Sequence, residues 1–210
     1  MQHRRVVATG LGMVCPVGND VATSWEAMLA GRSGIGLITR FDSSGLQCRI
    51  AGEVKGFDVA AYMPPKEARR LDTFIHYGVA ASAQAIKDSG LEVSDANRER
   101  IGCVIGSGIG GLPMIEDNHT ELMNRGPRRV SPFLIPGSIS NMIAGTVSIQ
   151  YGLQGPNLAI VTACTSLLAT SSRLVVQSQP NVSATRLALA SSRSQTSDTS
   201  ARWCVVRARA

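Results

Sequence analysis

Cys164 has the local sequence of a cysteine nucleophile. A break at Gly155-Pro156 precedes the apolar run 158–163, which predicts a buried strand that ends next to this cysteine. A helix beginning there would direct its N-terminus at the sulfur, lower the pKa of the thiol, and supply a backbone N–H to an oxyanion. The pattern favours acyl transfer through a covalent thioester, and the alternative from local sequence is a buried structural cysteine.

The run Gly-Ser-Gly-Ile-Gly-Gly at 106–111 follows a second predicted buried strand, 101–105. Its G-x-G-x-x-G spacing is typical of a dinucleotide site. Three features oppose that interpretation: the strand is not the first of its fold, Pro113 opens the next helix abruptly, and no acid lies about twenty residues further on. We therefore predict that these glycines allow close backbone packing.

Two groups of basic residues could bind an acidic partner by electrostatic steering, or could be ordinary solvated surface. One group lies where a long helix is predicted to begin and the other in a loop that ends at Pro132; they are Lys66, Arg69 and Arg70, and Arg125, Arg128 and Arg129. His76 and His119 have no partner nearby in the sequence, so neither is predicted to be catalytic.

Composition changes sharply after Ser166. All 21 glycines lie at or before Gly155, whereas residues 165–210 contain 15 Ser or Thr, six Arg, no Lys and one acid. That segment therefore carries a net charge of +5 out of the total of +6. Trp203 is its only aromatic residue, so the aromatic interleaving typical of nucleic-acid binding is missing and no such role is predicted.

The five cysteines are odd in number and form no CxxC pair, which predicts neither a disulfide framework nor a zinc site. The N-terminus has no signal-peptide core, and no apolar run approaches the length of a membrane span. We expect a protein of the reduced cytoplasm, with no bound metal and no membrane association.

Buried strands alternate with helices, and this order predicts an α/β fold with a central sheet. Strands are predicted at 6–9, 101–105 and 158–163, with a glycine turn at Gly10 and Gly12. Helices are predicted at 20–30, from Pro64 to Gly90, at about 113–123 and at 138–151. The long second helix carries an apolar stripe formed by Leu71, Phe74, Ile75, Val79, Ser82, Ala83 and Ile86.

Nine collinear segments between Arg4 and Ser166 resemble the β-ketoacyl-acyl-carrier-protein synthases, most closely the elongating type II enzymes of dissociated fatty-acid synthesis. The segments are 4–12, 16–18, 29–35, 72–78, 105–111, 116–119, 131–133, 141–145 and 162–166. The resemblance implies a thiolase-like fold, an α-β-α-β-α sandwich of two similar halves, of which residues 1–166 would be an incomplete N-terminal half. It also implies a homodimer.

The resemblance implies an acyltransferase, a 3-oxoacyl-acyl-carrier-protein synthase. Cys164 would accept an acyl group from acyl-carrier protein and condense it with malonyl-acyl-carrier protein, releasing CO2. Ile109 and Phe133 would line or gate the acyl pocket, and the carrier protein would dock on Lys66, Arg69, Arg128 and Arg129. Substrates would arrive on the phosphopantetheine of the carrier protein, and no cofactor is implied.

The resemblance ends at Ser166, because Leu167 replaces a family glycine and nothing recognisable follows. The family's decarboxylating histidines and lysine, and a second oxyanion donor, have no match here. We interpret residues 167–210 as a divergent tail that is translated out of frame or disordered, with a lineage-specific tail as the alternative. This exact chain is accordingly expected to lack condensing activity.

Three other functions stay open from the sequence. The chain could be a non-catalytic remnant or interaction module that keeps a carrier-protein or dimer surface. It could be a polyketide-type ketosynthase, or a thiolase-fold enzyme acting on coenzyme A thioesters. The sequence also leaves open the acyl chain length and whether the chain folds or dimerises alone.

Overall fold

A five-stranded sheet forms the centre of the molecule. The structure is a computed structural model that describes residues 8–163 and the backbone of 187–192 and 202–207. The strands are β1 (Gly10–Val14), β2 (Ile35–Leu37), β3 (Ile50–Gly52), β4 (Gly102–Ser107), β5 (Asn157–Ile160), β6 (Leu187–Ser192) and β7 (Arg202–Arg207). The helices are α1 (Val21–Leu29), α2 (Pro65–Ala68), α3 (Thr73–Asp88), α4 (Leu112–Arg125), α5 (Leu134–Ser138) and α6 (Met142–Tyr151).

The central sheet has the strand order β1-β7-β6-β4-β5, and β2 and β3 form a separate antiparallel pair. Strand β4 runs parallel to both β5 and β6, while β7 is antiparallel to its neighbours β1 and β6. The register pairs Gly106 of β4 with Ile160 of β5. The segments that follow these two strands therefore leave the sheet side by side.

Helices α3 and α6 cover the sheet, with α3 against β1, β6 and β7 and α6 against β4 and β5. The predicted stripe of α3 is confirmed, because Phe74, Val79 and Ile86 are buried in the main apolar cluster. The two helices meet closely at Gly78, where a β-carbon would lie 2.5 Å from Cγ2 of Ile143. The core thus depends on a small residue at the crossing of the two helices.

The predicted glycine turn at Gly10 and Gly12 is wrong, because both residues lie inside β1. Their missing side chains make room for α3: a β-carbon on Gly12 would lie 2.9 Å from the backbone N of Ala85. Glycine inside a strand often marks such a close backbone approach rather than a turn. Of the predicted strand 6–9, Ala8 and Thr9 are not in a strand, and residues 6 and 7 lie outside the described residues.

Two predicted helices are each divided in two. The helix predicted from Pro64 to Gly90 is α2 followed by α3, because Asp72 is extended and caps the second helix through Phe74 N. The helix predicted at 138–151 is α5 followed by α6, because Ile139 is extended. Local apolar spacing does not reveal such interruptions, since the stripe continues across the break.

Strands β6 and β7 lie within the segment 167–210, for which a divergent tail was predicted. The backbone of β6 pairs with β4, and that of β7 pairs with β1. The rest of the segment lies outside the described residues. The domain boundary at 166 therefore stays a prediction.

The close contact between β1 and α3 generates a prediction. We expect Gly12→Ala to lower the free energy of unfolding by roughly 1–3 kcal/mol, because its β-carbon meets backbone atoms of α3 that cannot rotate away. The measurement is the urea midpoint. Gly45→Ala is the matched control, since no atom lies within 4 Å of its added carbon, and equal effects of the two changes would contradict the prediction.

Candidate functional site

The carboxyl ends of β4 and β5 bring the glycine-rich loop next to the chain that leads to Cys164. Because β4 and β5 are parallel, the loop after Ser107 and the segment after Ile160 leave the same edge of the sheet. Ala163 has φ of 47°, which makes it the one non-glycine residue with positive φ among those described. A left-handed alanine indicates a sharp, strained turn immediately before the predicted nucleophile. Cys164 itself lies outside the described residues.

The glycine-rich loop is packed against the end of α5. Gly110 has φ of 108°, and a β-carbon there would lie 2.5 Å from the carbonyl oxygen of Ser138. The same carbonyl accepts a hydrogen bond from the N–H of Gly111 at 2.8 Å. The prediction that these glycines serve close backbone packing is confirmed.

The two predicted pocket residues lie on segments that these contacts join. Ile109 projects from the glycine-rich loop and is 50% exposed. Phe133 immediately precedes α5, and its ring lies under the guanidinium of Arg70, 4.4 Å from Cζ to the ring centroid. Their roles in an acyl pocket stay predictions.

Asp72 connects three elements at this site, and sequence reasoning missed it. Its carboxylate is buried and accepts hydrogen bonds from the N–H of Phe74 at 3.3 Å and from that of Met114 at 2.9 Å. Its own N–H donates to the carbonyl of Gly137 at 3.1 Å. One residue therefore joins the beginnings of α3 and α4 to α5. An aspartate before an apolar run is a sequence signal for the first cap but not for the second.

The four predicted docking residues are exposed. Lys66 lies in α2 and Arg69 at its end, while Arg128 and Arg129 lie in a 3-10 turn shortly after α4. Within residues 8–163 none of the four forms an ion pair. Arg125 differs, because it pairs with a glutamate of its own helix, at 3.2 Å. The four charges are therefore available to a partner.

His76 has a structural position. Its Nε2 lies 2.9 Å from the carbonyl oxygen of Ala68, so the neutral imidazole with Nε2 protonated can donate and tie α2 to α3. Burial lowers the pKa of His76, although the Ala68 carbonyl and the Asp72 carboxylate act in the opposite direction. His119 lies exposed on α4.

The described cysteines do not compete with Cys164 as buried nucleophiles. Burial raises the pKa of Cys103 to about 12, so it stays a neutral thiol near pH 7. Cys15 is buried with its sulfur 3.3 Å from Oγ of Ser24, and Cys48 is exposed. In the part of the chain that the structure describes, no group of three or more potential ligands could hold a metal ion, and none of the helices could cross a membrane.

Comparisons with known proteins agree on one family. The family model of the β-ketoacyl synthase N-terminal domain matches residues 3–199. The 3-oxoacyl-[acyl-carrier-protein] synthase 2 of Vibrio cholerae is 58% identical over 166 residues, 79% of this chain and 40% of that protein. The protein of that name from Coxiella burnetii is 52% identical over the same shares. This chain thus spans about two fifths of the length of these curated relatives.

A solved structure shows the same fold. It is a type II polyketide synthase acyl-carrier protein in complex with its ketosynthase, and it matches with a TM-score of 0.74 and 20% identity. The match covers 97% of this chain and 62% of the solved chain. The predicted α/β, thiolase-like fold is confirmed by this similarity.

The burial of His76 generates a prediction of pH dependence. The folded-state pKa lies below the unfolded value of about 6.5, so the unfolded chain binds the proton more readily. We expect the free energy of unfolding to fall as the pH drops from about 6.5 through the folded pKa, and to be unaffected by this group at higher pH.

His76→Gln can still donate to Ala68 and should remove this component from the pH profile measured by urea unfolding. His119→Gln controls for the loss of a histidine at an exposed position. An unchanged profile in His76→Gln would show that His76 is not the source.

Proposed function

The chain belongs to the β-ketoacyl synthase family, and we propose that it carries the acyl-accepting site of a condensing enzyme of fatty-acid biosynthesis, a 3-oxoacyl-acyl-carrier-protein synthase. The observation that carries the proposal is the sharp turn at Ala163, beside the glycine-rich loop at the carboxyl ends of two parallel strands. The high identity to curated 3-oxoacyl-[acyl-carrier-protein] synthases supports it.

In the first step, the Cys164 thiolate attacks the thioester carbonyl of an acyl-carrier protein. The carbon–sulfur bond to the phosphopantetheine breaks, the acyl group forms a thioester with Cys164, and the carrier thiol leaves with a proton. A backbone N–H at the nucleophile stabilises the tetrahedral oxyanion. Two easier steps thereby replace one difficult condensation.

In the second step, malonyl-acyl-carrier protein loses CO2, and the resulting carbanion attacks the acyl thioester. A carbon–carbon bond forms, the Cys164 thiolate leaves, and the product is a 3-oxoacyl-acyl-carrier protein. The reaction requires no metal or organic cofactor of the protein itself. A fatty-acid rather than a polyketide substrate is favoured by the names of the relatives that are more than 50% identical.

The proposed partner is acyl-carrier protein, which docks on Lys66, Arg69, Arg128 and Arg129. All four are exposed and lack an internal ion pair within residues 8–163, which suits an acidic partner. The ketosynthase in the solved complex is bound to an acyl-carrier protein, and the names of the curated relatives specify such a substrate. The reduced cytoplasm is the proposed compartment, since Cys15, Cys48 and Cys103 are free thiols.

We also propose a homodimer that pairs through the edge of β5. This strand is the last in the central sheet and pairs only with β4 among the described strands. Leu158 on it is 54% exposed. An edge with open backbone groups and an apolar surface is suited to pairing with a second copy.

Acylation of Cys164 is the first test. After incubation with acyl-carrier protein bearing an acyl chain, we expect peptide mass spectrometry to find the acyl mass on Cys164. Cys164→Ser should abolish that signal, because a serine hydroxyl is not ionised as a thiolate is. Cys48→Ser should keep it. Acylation at Cys48, or none in the unmodified chain, would sink the proposal and favour a non-catalytic interaction module.

Docking is tested by reversing charge on α2. We expect Lys66→Glu combined with Arg69→Glu to weaken binding of acyl-carrier protein roughly tenfold, with a smaller dependence on salt, because attraction becomes repulsion. Surface plasmon resonance measures the dissociation constant. Lys87→Glu, exposed in the last turn of α3, is the control; an equal loss there would mean that only total charge matters.

The dimer is tested at Leu158. Sedimentation equilibrium should show self-association of the unmodified chain and its loss in Leu158→Lys, because a charge on an edge strand opposes pairing. Leu29→Lys, on exposed α1, should associate like the unmodified chain. A monomer at all concentrations would rule out this interface.

A further inference from the structure

The two carboxylate oxygens of Asp72 serve two different helices. Oδ1 accepts from Phe74 N in the first turn of α3, and Oδ2 accepts from Met114 N in the first turn of α4. Residues 74 and 114 are forty positions apart, so this carboxylate is a tertiary link as well as a local cap. Only a side chain with two acceptor oxygens can make both bonds.

The glycine-rich loop lies directly against this carboxylate. A β-carbon on Gly111 would lie 2.8 Å from Oδ2 of Asp72, so the loop is held at backbone distance. The N–H of Gly111 also bonds to Ser138 of α5, whose neighbour Gly137 accepts from the N–H of Asp72. The loop is thus fixed from two sides, and both sides lead back to Asp72.

Asp72 also lies close to the proposed docking helix. Only Arg70 and Leu71 separate it from Arg69 at the end of α2. The carbonyl of Arg70 lies so close to Gly137 that a β-carbon there would be 2.5 Å away. The segment between the docking helix and Asp72 is therefore packed tightly against α5.

We propose that Asp72 is a positioning residue that fixes the glycine-rich loop and so determines, through Ile109, which acyl groups reach the nucleophile. The proposal rests on the proposed function, because it takes Ile109 as a gate of the acyl pocket. Asp72 does not touch the acyl group. It acts by holding the loop that carries the gate.

The test uses two variants that disturb the same contact from opposite sides. Asp72→Asn keeps one acceptor oxygen but places an NH2 group against the other backbone donor, so one of the two helix links is lost. Gly111→Ala keeps the carboxylate and pushes the loop away from it. Asp20→Asn is the matched control, because Oδ1 of Asp20 alone caps α1 and asparagine caps equally well.

Two measurements are made on the full chain. Hydrogen exchange followed by mass spectrometry reports the opening of residues 106–114. The rate of alkylation at Cys164 is compared for N-octyl-iodoacetamide and iodoacetamide, and the ratio of the two rates reports access for a long chain. Exposed Cys48 gives the reference ratio in the same sample.

In both Asp72→Asn and Gly111→Ala we expect exchange in 106–114 to increase and the octyl-to-short ratio at Cys164 to rise roughly fivefold, the factor given by one lost hydrogen bond. Cys48 and the Asp20→Asn control should not change. Faster exchange with an unchanged ratio would show a purely structural role and overturn the proposal, as would no change in either measurement.

The outcomes separate this proposal from the proposed function. If the unmodified chain is not acylated by acyl-carrier protein but the ratio responds, the loop is positioned by Asp72 and the proposed function is wrong. If circular dichroism shows that Asp72→Asn does not fold, Gly111→Ala decides the question by the same two measurements.

Discussion

A buried carboxylate fixes the relative position of the helices around the candidate site. Transfer of an ionised side chain out of water is strongly unfavourable unless donors replace the lost water. Asp72 receives those donors from the beginnings of α3 and α4, where backbone N–H groups have no partner within the helix. The positive ends of both helix dipoles also face the charge. The helices therefore supply what the carboxylate needs, and the carboxylate supplies what the helices need.

Parallel pairing then brings the parts of the site together. Because β4 and β5 run in the same direction, two loops that are about fifty residues apart in the chain emerge at one edge of the sheet. One carries Ile109, and the other turns at Ala163 towards Cys164. Helix α3 fixes the orientation of the sheet behind them, since Gly10 and Gly12 let it approach β1 closely.

The sequence could predict the parts of this arrangement that depend on local periodicity. The apolar spacing of Phe74, Val79 and Ile86 identified the buried face of α3, and β4 was predicted to within one residue at its start. Sequence could not show that Gly12 serves a helix rather than a turn, because the atoms that require glycine belong to residues about seventy positions away. The link from Asp72 to Met114 was likewise invisible, since no local pattern marks the second acceptor oxygen.

The left-handed backbone at Ala163 has a consequence for protein engineering. L-residues other than glycine lose roughly 1–2 kcal/mol in that conformation, so glycine at this position would make the fold more robust to heat. The same replacement would widen the range of backbone angles at the entry to Cys164. A search for thermostable variants would therefore select against the rigidity that aims the thiol, and a library screened for melting temperature alone would enrich proteins with a poorly directed nucleophile.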